Sequence, residues 1–241
     1  MDAVQQQFVE MLEPHGIALN EHQLSQFEIY YKELVDWNER MNLTGITERD
    51  QVYLKHFFDS LSLAFYVPVD DHAALADIGS GAGFPSIPLI IAFPHLQVTI
   101  VDSLNKRIQF LNHLTMALGL SNVTCVHGRA EDVARGAAHR DSYDLVTARA
   151  VARLAVLNEF CLPFTSVDGL FVAMKGQDIG DELKEAGRSL QELHAKVVET
   201  HRFILPIEES VRHLVITKKI DSTPAKYPRK AGLPMKEPLL S

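Results

Sequence analysis

Cysteine is scarce in this sequence, and long apolar runs are absent from it. Its 241 residues include two cysteines, Cys125 and Cys161, which lie far apart in apolar surroundings. This usage predicts free, buried thiols in a reducing compartment rather than a disulfide framework. No apolar run approaches the ~18 residues that a membrane helix needs, and the first residues lack the basic and apolar regions of a secretory signal. We therefore expect a cytoplasmic protein.

Metal-ligand spacing and an excess of positive charge are lacking as well. The 11 histidines are scattered, without H-x-x-x-H or cysteine–histidine pairs at ligand spacing, so we predict no metal site. A net charge of −8 has the wrong sign for indiscriminate binding of nucleic acid. Positive charge collects at the C-terminal end, where residues 218–241 carry six lysines and arginines against two acids. A polyanionic partner is therefore expected to meet that end first.

The hydrophobic pattern changes near residue 73. Before it, apolar residues recur every three or four positions, which predicts helices over 2–13, 20–40 and 52–66. After it, strand and helix patterns alternate, which predicts a mostly parallel sheet covered on both faces. Strands are expected near 73–78, 97–102, 122–127, 143–147, 169–174, 196–204 and 211–218, and helices near 86–93, 104–118, 130–135, 150–159 and 178–193. The last two strands follow each other as a hairpin, so one edge strand is expected to be antiparallel.

The chain is therefore predicted to consist of three parts. Residues 1–70 form a helical cap that packs on the α/β part and is not an independent module. Residues 71–220 form an α/β domain with a Rossmann-like, seven-stranded sheet. Residues 221–241 form a basic tail with too many prolines for regular structure, and this tail is expected to be partly mobile.

A glycine-rich turn stands between the first predicted strand and the helix after it. Gly79, Gly81 and Gly83 give a G-x-G-x-G spacing, and Asp77 precedes them. Glycines suit a sharp reversal at positive φ and a close approach of the backbone to a ligand, and amides at a helix start favour a polar or anionic group. A dinucleotide fingerprint needs a small residue where Phe84 stands. The bulky ring favours S-adenosylmethionine instead.

The ends of the next three strands carry further candidates. Asp102 ends the second strand, 23 residues after Gly79, where a carboxylate accepts ribose hydroxyls. Ala130 and Glu131 follow the third strand and are candidates for holding the adenine edge, although Glu131 also suits a helix start. Arg149 ends the fourth strand between two alanines, an unusual place for a solvated charge. We assign it to the cofactor and to catalysis in preference to a structural ion pair.

Three other residues each allow two interpretations. Lys175 ends the fifth strand at the rim of the same crevice, where binding of substrate RNA and plain solvation are equally open. His56 and Asp59 lie three apart on a predicted helix. They either face the crevice or make a helix-cap contact or a buried hydrogen bond, and the second alternative is favoured.

These motifs, taken in order, resemble the glucose-inhibited division protein B family. The resemblance runs from about Phe27 to the C-terminus. It rests on Asn42-Leu43-Thr44, His56-Phe57-Phe58-Asp59-Ser60-Leu61, Asp77-Ile78-Gly79-Ser80-Gly81-Ala82-Gly83-Phe84-Pro85, Ala148-Arg149-Ala150-Val151, Lys175-Gly176 and Tyr227-Pro228-Arg229-Lys230-Ala231-Gly232. Two departures are visible: the family often has Gly where this chain has Ser86, and Pro where it has Ala231.

The resemblance implies a class I methyltransferase fold with S-adenosylmethionine as the donor. It also implies that the target is N7 of a guanine in 16S rRNA near the decoding site, met as RNA or as the small ribosomal subunit. Gly79, Phe84, Ala130, Glu131 and Arg149 fall on the family's cofactor-binding positions. A monomer would suit access to so large an RNA.

Methylation at guanine N7 sets its own chemical requirements. The N7 lone pair is unprotonated at neutral pH and the sulfonium methyl is already activated, so direct in-line displacement needs no general base. Catalysis would come from alignment and exclusion of water, and Arg149 is a candidate donor to guanine O6 that leaves N7 free. In the tail, Arg229 and Lys230 are predicted to contact RNA phosphates.

Two other functions stay open at this point. One is a methyltransferase acting on a protein or a small molecule, although no Asn-Pro-Pro-Tyr-type motif for an amino-group acceptor follows the fourth strand. The other is a non-catalytic nucleotide sensor linked to cell division.

Overall fold

A computed structural model describes residues 1–176 and 179–241. Seven strands form one sheet: β1 (Ala74–Ile78), β2 (Gln97–Asp102), β3 (Val123–His127), β4 (Tyr143–Arg149), β5 (Thr165–Lys175), β6 (Ala195–Ile204) and β7 (Val211–Lys219). Their order across the sheet is β3-β2-β1-β4-β5-β7-β6. Strands β1 to β5 pair in parallel, whereas β7 runs antiparallel to both β5 and β6. The predicted seven-stranded, mostly parallel sheet with antiparallel pairing at one edge is confirmed.

Helices cover both faces of this sheet and also precede it. They are α1 (Ala3–Leu12), α2 (Glu21–Met41), α3 (Arg49–Val52), α4 (Asp59–Leu61), α5 (Ser86–Ala92), α6 (Asn105–Ala117), α7 (Ala130–Val133), α8 (Leu154–Cys161), α9 (Gly180–Glu185), α10 (Gly187–Glu192) and α11 (Leu233–Lys236). The single helix predicted near 178–193 is divided at Ala186 into α9 and α10, and its first predicted residue lies outside the described residues. No helix in the described part of the chain is long and apolar enough to cross a membrane.

The N-terminal helices share a hydrophobic core with the sheet. Phe8, Phe27 and Phe57 belong to the same buried cluster as Leu75 of β1 and the apolar residues of α5 and α6. Polar side chains of α2 also form hydrogen bonds with α5 and with the loop before it. Gln23 Nε2 donates to Ile91 O at 2.8 Å, and Tyr30 OH donates to Ala82 O at 2.6 Å. Because these contacts are buried, the front section is held on the α/β domain from α2 onward.

A continuous helical stretch leads from α3 towards the sheet. It contains a π-helical turn over Tyr53–Phe58 between α3 and α4, and it ends in a 3-10 turn over Ser62–Phe65. Such π turns are rare and often mark functional sites, because the extra residue re-aims neighbouring side chains. Here the π turn carries Lys55 and His56.

The C-terminal tail is packed against the domain through buried hydrogen bonds. The Arg140 guanidinium donates to the carbonyl oxygens of Thr223, Pro224 and Tyr227 at 2.8 to 3.1 Å. The fully buried Lys219 ammonium donates to Asp141 Oδ1 at 2.9 Å and to the Thr223 hydroxyl at 2.6 Å. Prolines prevented long helices in the tail, but they left its carbonyls free for these donors.

The two cysteines are free thiols, as expected. Cys161 is buried in α8, whereas Cys125 is only half-buried in β3. Burial raises the pKa of both thiols, that of Cys125 to about 11, so neither is a reactive thiolate at neutral pH.

Candidate functional site

The glycine turn after β1 needs its glycines. Gly79, Gly81 and Gly83 have φ values of 75°, 64° and 100°, a region that side chains with a Cβ rarely adopt. A Cβ on Gly79 would lie 2.8 Å from Val151 Cγ2, and one on Gly83 would lie 2.8 Å from the Tyr30 hydroxyl. A Cβ on Gly81 would meet nothing within 4 Å. The turn is therefore close-packed at both ends and open in the middle.

Asp77 lies beneath this turn and is fully buried. Its Oδ2 accepts hydrogen bonds from the Ser86 amide at 3.2 Å and the Ser86 hydroxyl at 2.6 Å. Burial raises the pKa of this carboxyl to about 7, although the bonds from Ser86 oppose the shift. Ser86 is one of the two departures from the family pattern, and its hydroxyl fastens the start of α5 to β1.

Asp102 joins the glycine turn to the end of β2. Its Oδ2 accepts from the Gly81 amide at 3.1 Å and lies 3.4 Å from Arg107 Nη1, while its Oδ1 accepts from the Leu104 amide at 2.9 Å. A carboxylate offers about four lone-pair sites, so this one retains accepting capacity for hydroxyl groups. The predicted spacing between the turn and the acid therefore corresponds to a direct contact.

A cavity of about 140 Å³ opens at the carboxyl ends of β1, β2 and β3. Its walls are largely apolar and include Ile78, Val101, Ala130, Phe160 and Met235. Such walls suit the faces of an adenine ring, and Asp102 stands at the end of the neighbouring strand for a ribose. Judged by the chemistry of its groups, this side of the sheet fits the adenosine part of S-adenosylmethionine.

Glu131 also lines this cavity but makes a contact that the sequence did not predict. It is buried, and its Oε1 accepts a 2.8 Å hydrogen bond from the Gly232 amide. Gly232 and Met235, both in the tail, therefore form one wall of the cavity. The tail thus completes the predicted adenine site beside Ala130.

Arg149 lies at the crevice, and the helical stretch 49–65 holds it there through an ion pair, the alternative that the sequence disfavoured. Its Nη1 donates to Asp59 Oδ2 at 2.9 Å and to Lys55 O at 3.2 Å. Its guanidinium also lies over the Phe84 ring, 4.9 Å from the centroid, a cation–π geometry. The next residue, Ala150, has a φ of 57°, a strained value that non-glycine residues adopt mostly where the surroundings enforce it.

His56 and Asp59 both face the crevice, so the favoured alternative for this pair is incomplete. The His56 ring stacks on Phe84 at 4.5 Å. Its Nδ1 lies 3.3 Å from Arg149 Nη2, and its Nε2 lies 2.8 Å from Thr44 Oγ1. The same Nδ1 lies 3.2 Å from the Lys55 carbonyl oxygen. Burial and the neighbouring Arg149 lower the pKa of His56 to about 3, so the ring stays neutral.

A larger cavity of about 460 Å³ lies on the other side of Arg149. It stands at the carboxyl ends of β4 and β5 and at the start of β7, with the π turn along one side. Two ion pairs face it in addition to Arg149–Asp59. Asp59 Oδ1 accepts from Arg212 Nε at 3.1 Å, and Lys175 Nζ lies 2.8 Å from Glu182 Oε2. The short segment 149–151 separates the two cavities, since Ala150 lines the larger and Val151 the smaller.

Sequence reasoning missed Arg212 and Glu182 as members of this site. Arg212 begins an antiparallel strand, and the topological rule that directed attention to strand ends covers only the carboxyl ends of parallel strands. Glu182 follows Lys175 by seven residues, and in an acidic helix start it gave no distinguishing signal.

The two tail residues predicted to contact RNA are placed differently. The Arg229 guanidinium binds the buried Glu159 carboxylate through Nε and Nη2, at 2.7 to 3.1 Å, and the Arg229 amide donates to the same carboxylate at 2.7 Å. Lys230 is exposed. The structure therefore gives Arg229 a role in fixing the tail, and only Lys230 presents its charge to solvent.

Comparison with known proteins identifies the family. The model of the GidB family, described as rRNA small subunit methyltransferase G, matches residues 23–215. The chain belongs to this family. It is 56% identical to the ribosomal RNA small subunit methyltransferase G of Halalkalibacterium halodurans over 97% of this chain and 98% of that protein. It is 55% identical to the protein of the same name from Brevibacillus brevis, over 98% of this chain and 99% of that protein.

Solved structures agree on the fold. A SAM-dependent O-methyltransferase from Thermotoga maritima superposes with a TM-score of 0.51 at 19% identity, covering 79% of this chain and 72% of that one. The tRNA methyltransferase TrmK of B. subtilis gives a TM-score of 0.52 at 12% identity, covering 68% and 66%. The predicted family, the class I methyltransferase fold and S-adenosylmethionine as the cofactor are confirmed.

Proposed function

We propose that this GidB family member transfers a methyl group from S-adenosylmethionine to N7 of a guanine in 16S rRNA near the decoding site, by direct in-line displacement. The relatives' name supports the class of RNA. The observation that carries the proposal is the pair of cavities that meet at residues 149–151. One suits the adenosine part of the donor, and the other has the size of a ligand pocket and is lined by polar groups.

The residues of the smaller cavity and the glycine turn would hold the cofactor. Asp102 would accept from the ribose hydroxyls, Ala130 and the apolar walls would contact the adenine, and Gly79 and Gly81 would allow the close approach of the remainder. When bound, this cofactor supplies an activated methyl group on sulfur. Arg149 stands at the junction with the larger cavity and orients the reacting groups there.

The residues around Arg149 suit a reaction without a general base. His56 is neutral and, with a pKa of about 3, is a poor proton acceptor at pH 7. Guanine N7 carries no proton, so none has to be removed before it attacks the methyl carbon. The protein therefore contributes alignment and exclusion of water, effects worth up to ~7–11 kcal/mol in favourable intramolecular models. The target base must leave its stack, which costs a few kcal/mol.

The rest of the chain divides the remaining tasks. Residues 1–70 form the helical cap and supply one wall of the larger cavity, 71–220 form the methyltransferase domain, and 221–241 close the adenine side. The partner is 16S rRNA, free or within the small subunit, and the protein acts as a cytoplasmic monomer without a metal.

Transfer of isotope-labelled methyl groups tests the proposal. Small subunits from cells lacking this activity are incubated with the protein and labelled S-adenosylmethionine, and the RNA is digested for mass mapping. The expected product is one 7-methylguanosine in 16S rRNA. Label in protein or in a small molecule would favour the second function considered above, and cofactor binding without any transfer would favour the nucleotide sensor.

A further inference from the structure

Lys175 and Glu182 form a charged pair in the larger cavity, and the proposed reaction assigns no role to them. Asp59 is bound on both oxygens, by Arg149 and by Arg212. Lys175 and Glu182 also face the cavity, and their side chains are only 13% and 15% exposed. A nearly buried ammonium and carboxylate in the lining of a ligand-sized cavity offer one strong donor and one strong acceptor.

The hydrogen bonds within and around this pair use only part of the Lys175 ammonium and of the Glu182 carboxylate. Lys175 Nζ donates to Glu182 Oε2 at 2.8 Å and to Ala152 O at 2.7 Å, and an ammonium has three N–H bonds. The Leu154 amide donates to Glu182 Oε2 at 2.7 Å. Both described contacts of this carboxylate therefore fall on the same oxygen, which fixes the orientation of the group.

The edges of guanine match such a pair. When N7 faces the methyl group, O6 is the neighbouring acceptor, and N1–H and the exocyclic amino group are the donors beyond it. Adenine presents the reverse order, with an amino group in place of O6 and a lone pair at N1. It would set an amino group against the Lys175 ammonium and a lone pair against the Glu182 carboxylate.

Arg149 is less suited to read O6 than the sequence suggested. Its guanidinium donates to Asp59 and to Lys55 O and faces His56 Nδ1. These contacts hold it between the helical stretch and Phe84. Lys175, which has one N–H bond beyond its contacts with Glu182 and Ala152, is another cationic donor of this cavity that O6 can meet.

We propose that the Lys175–Glu182 pair reads the target guanine, Lys175 donating to O6 and Glu182 accepting from N1–H and the exocyclic amino group. This inference rests on the proposed function, because it assigns a substrate site to the same reaction. It makes both residues determinants of specificity and leaves N7 free.

The test compares guanosine with inosine, which keeps O6 and N1–H but lacks the exocyclic amino group. Small subunits are reconstituted with 16S rRNA that carries either nucleoside at the position mapped for the wild-type protein. The wild-type protein is expected to prefer guanosine by about 10- to 100-fold in kcat/KM, the effect of one hydrogen bond to a charged group.

Glu182→Gln is the decisive variant. The Leu154 amide and Lys175 both donate to Oε2, so the glutamine oxygen takes that position and its NH2 group faces the donors of guanine. The preference for guanosine should fall to within about 3-fold, with unchanged affinity for S-adenosylhomocysteine. Glu185→Gln is the matched control, because Glu185 lies on the same helix, pairs with the exposed Arg153 and does not line the cavity.

Lys175→Met supplies an independent outcome should Glu182→Gln fail to fold. It should lower kcat/KM at least 10-fold on both RNAs equally, because both carry O6. An unchanged guanosine preference in Glu182→Gln, or full activity in Lys175→Met, would overturn the inference while leaving the proposed function intact. Absence of methyl transfer by the wild-type protein would instead overturn the proposed function itself.

Discussion

Arg149, the last residue of β4, and Asp59, in the helical stretch that precedes the sheet, form a 2.9 Å ion pair across 90 residues of sequence. Both side chains are largely buried. The pair attaches the N-terminal cap to the catalytic edge of the sheet at the point where the two cavities meet. Four predictions concern this pair, the groups beneath it and the tail opposite it.

Replacement of Arg149 by lysine should impair both binding and reaction. A single ammonium group cannot reach Asp59, Lys55 O and His56 together, and each lost charged hydrogen bond is worth ~1.5–3 kcal/mol. We expect affinity for S-adenosylhomocysteine and the methylation rate to fall at least 10-fold, measured by calorimetry and labelled-methyl transfer. Arg153→Lys, at an exposed position, is the control. If Arg149→Lys retains both affinity and rate, Arg149 has no role in the site.

Replacement of Asp59 by asparagine should destabilise the protein strongly. It leaves Arg149 and Arg212 without their shared counter-charge, and breaking a buried pair costs ~3–5 kcal/mol. Urea unfolding measures the loss. Asp36→Asn, which removes an exposed ion pair with Arg40, should cost less than ~1 kcal/mol. Equal costs in the two variants would mean that the Asp59 carboxylate is not the junction between cap and sheet.

Replacement of two neighbouring residues of the tail by alanine should affect different properties of the protein. Arg229→Ala leaves the Glu159 carboxylate buried without a partner, so the free energy of unfolding should fall by ~3–5 kcal/mol. Affinity for S-adenosylhomocysteine should fall with it, because the tail forms a wall of the adenine site. Lys230→Ala should change neither quantity but should lower the salt dependence of RNA binding by about one charge. The assignment fails if Arg229→Ala alters only the salt dependence.

Asp77 and His56 should give the stability opposite dependences on pH. The folded pKa of Asp77 is raised from 3.8 to about 7, so between these values the folded state holds more protons and gains stability as the pH falls. The pKa of His56 in the folded state is lowered from 6.5 to about 3. Between these two pH values the unfolded state holds more protons, so stability is lost as the pH falls. Each slope is at most ~1.4 kcal/mol per pH unit.

Single variants separate the two slopes. Compared with the wild-type protein, Asp77→Asn should lose stability more steeply from pH 6.5 to 4.5, whereas His56→Gln should lose it less steeply. Urea unfolding at several pH values within this window measures both. Deviations from the wild-type curve in the same direction would contradict the assigned pKa shifts.

The sequence predicted those parts of the structure that depend on local pattern. Alternating apolar segments indicated the parallel sheet, and the glycine spacing with Asp102 indicated a turn whose contact with that carboxylate is direct. The division of the helix after β5 was missed, because the sequence reads as helical on both sides of Ala186. Boundaries of this kind depend on tertiary packing more than on propensity.

The larger cavity was less predictable because its groups come from distant parts of the chain. Arg212 meets Asp59 across 153 residues, and no periodicity or motif links them. The anchoring of the tail, in contrast, left a signal in α8. Glu159 follows Asn158 in the mostly apolar segment Leu154–Cys161, and a carboxylate in such a segment is rarely buried without a cationic partner.

The central claim is that the glycine turn and Asp102 hold a sulfonium nucleoside, and calorimetry on the wild-type protein tests it most directly. Titration with S-adenosylhomocysteine should give heat that saturates at one molecule per chain, and titration with a nicotinamide dinucleotide should give none. No heat with S-adenosylhomocysteine, together with tight binding of the nicotinamide dinucleotide, would contradict this claim.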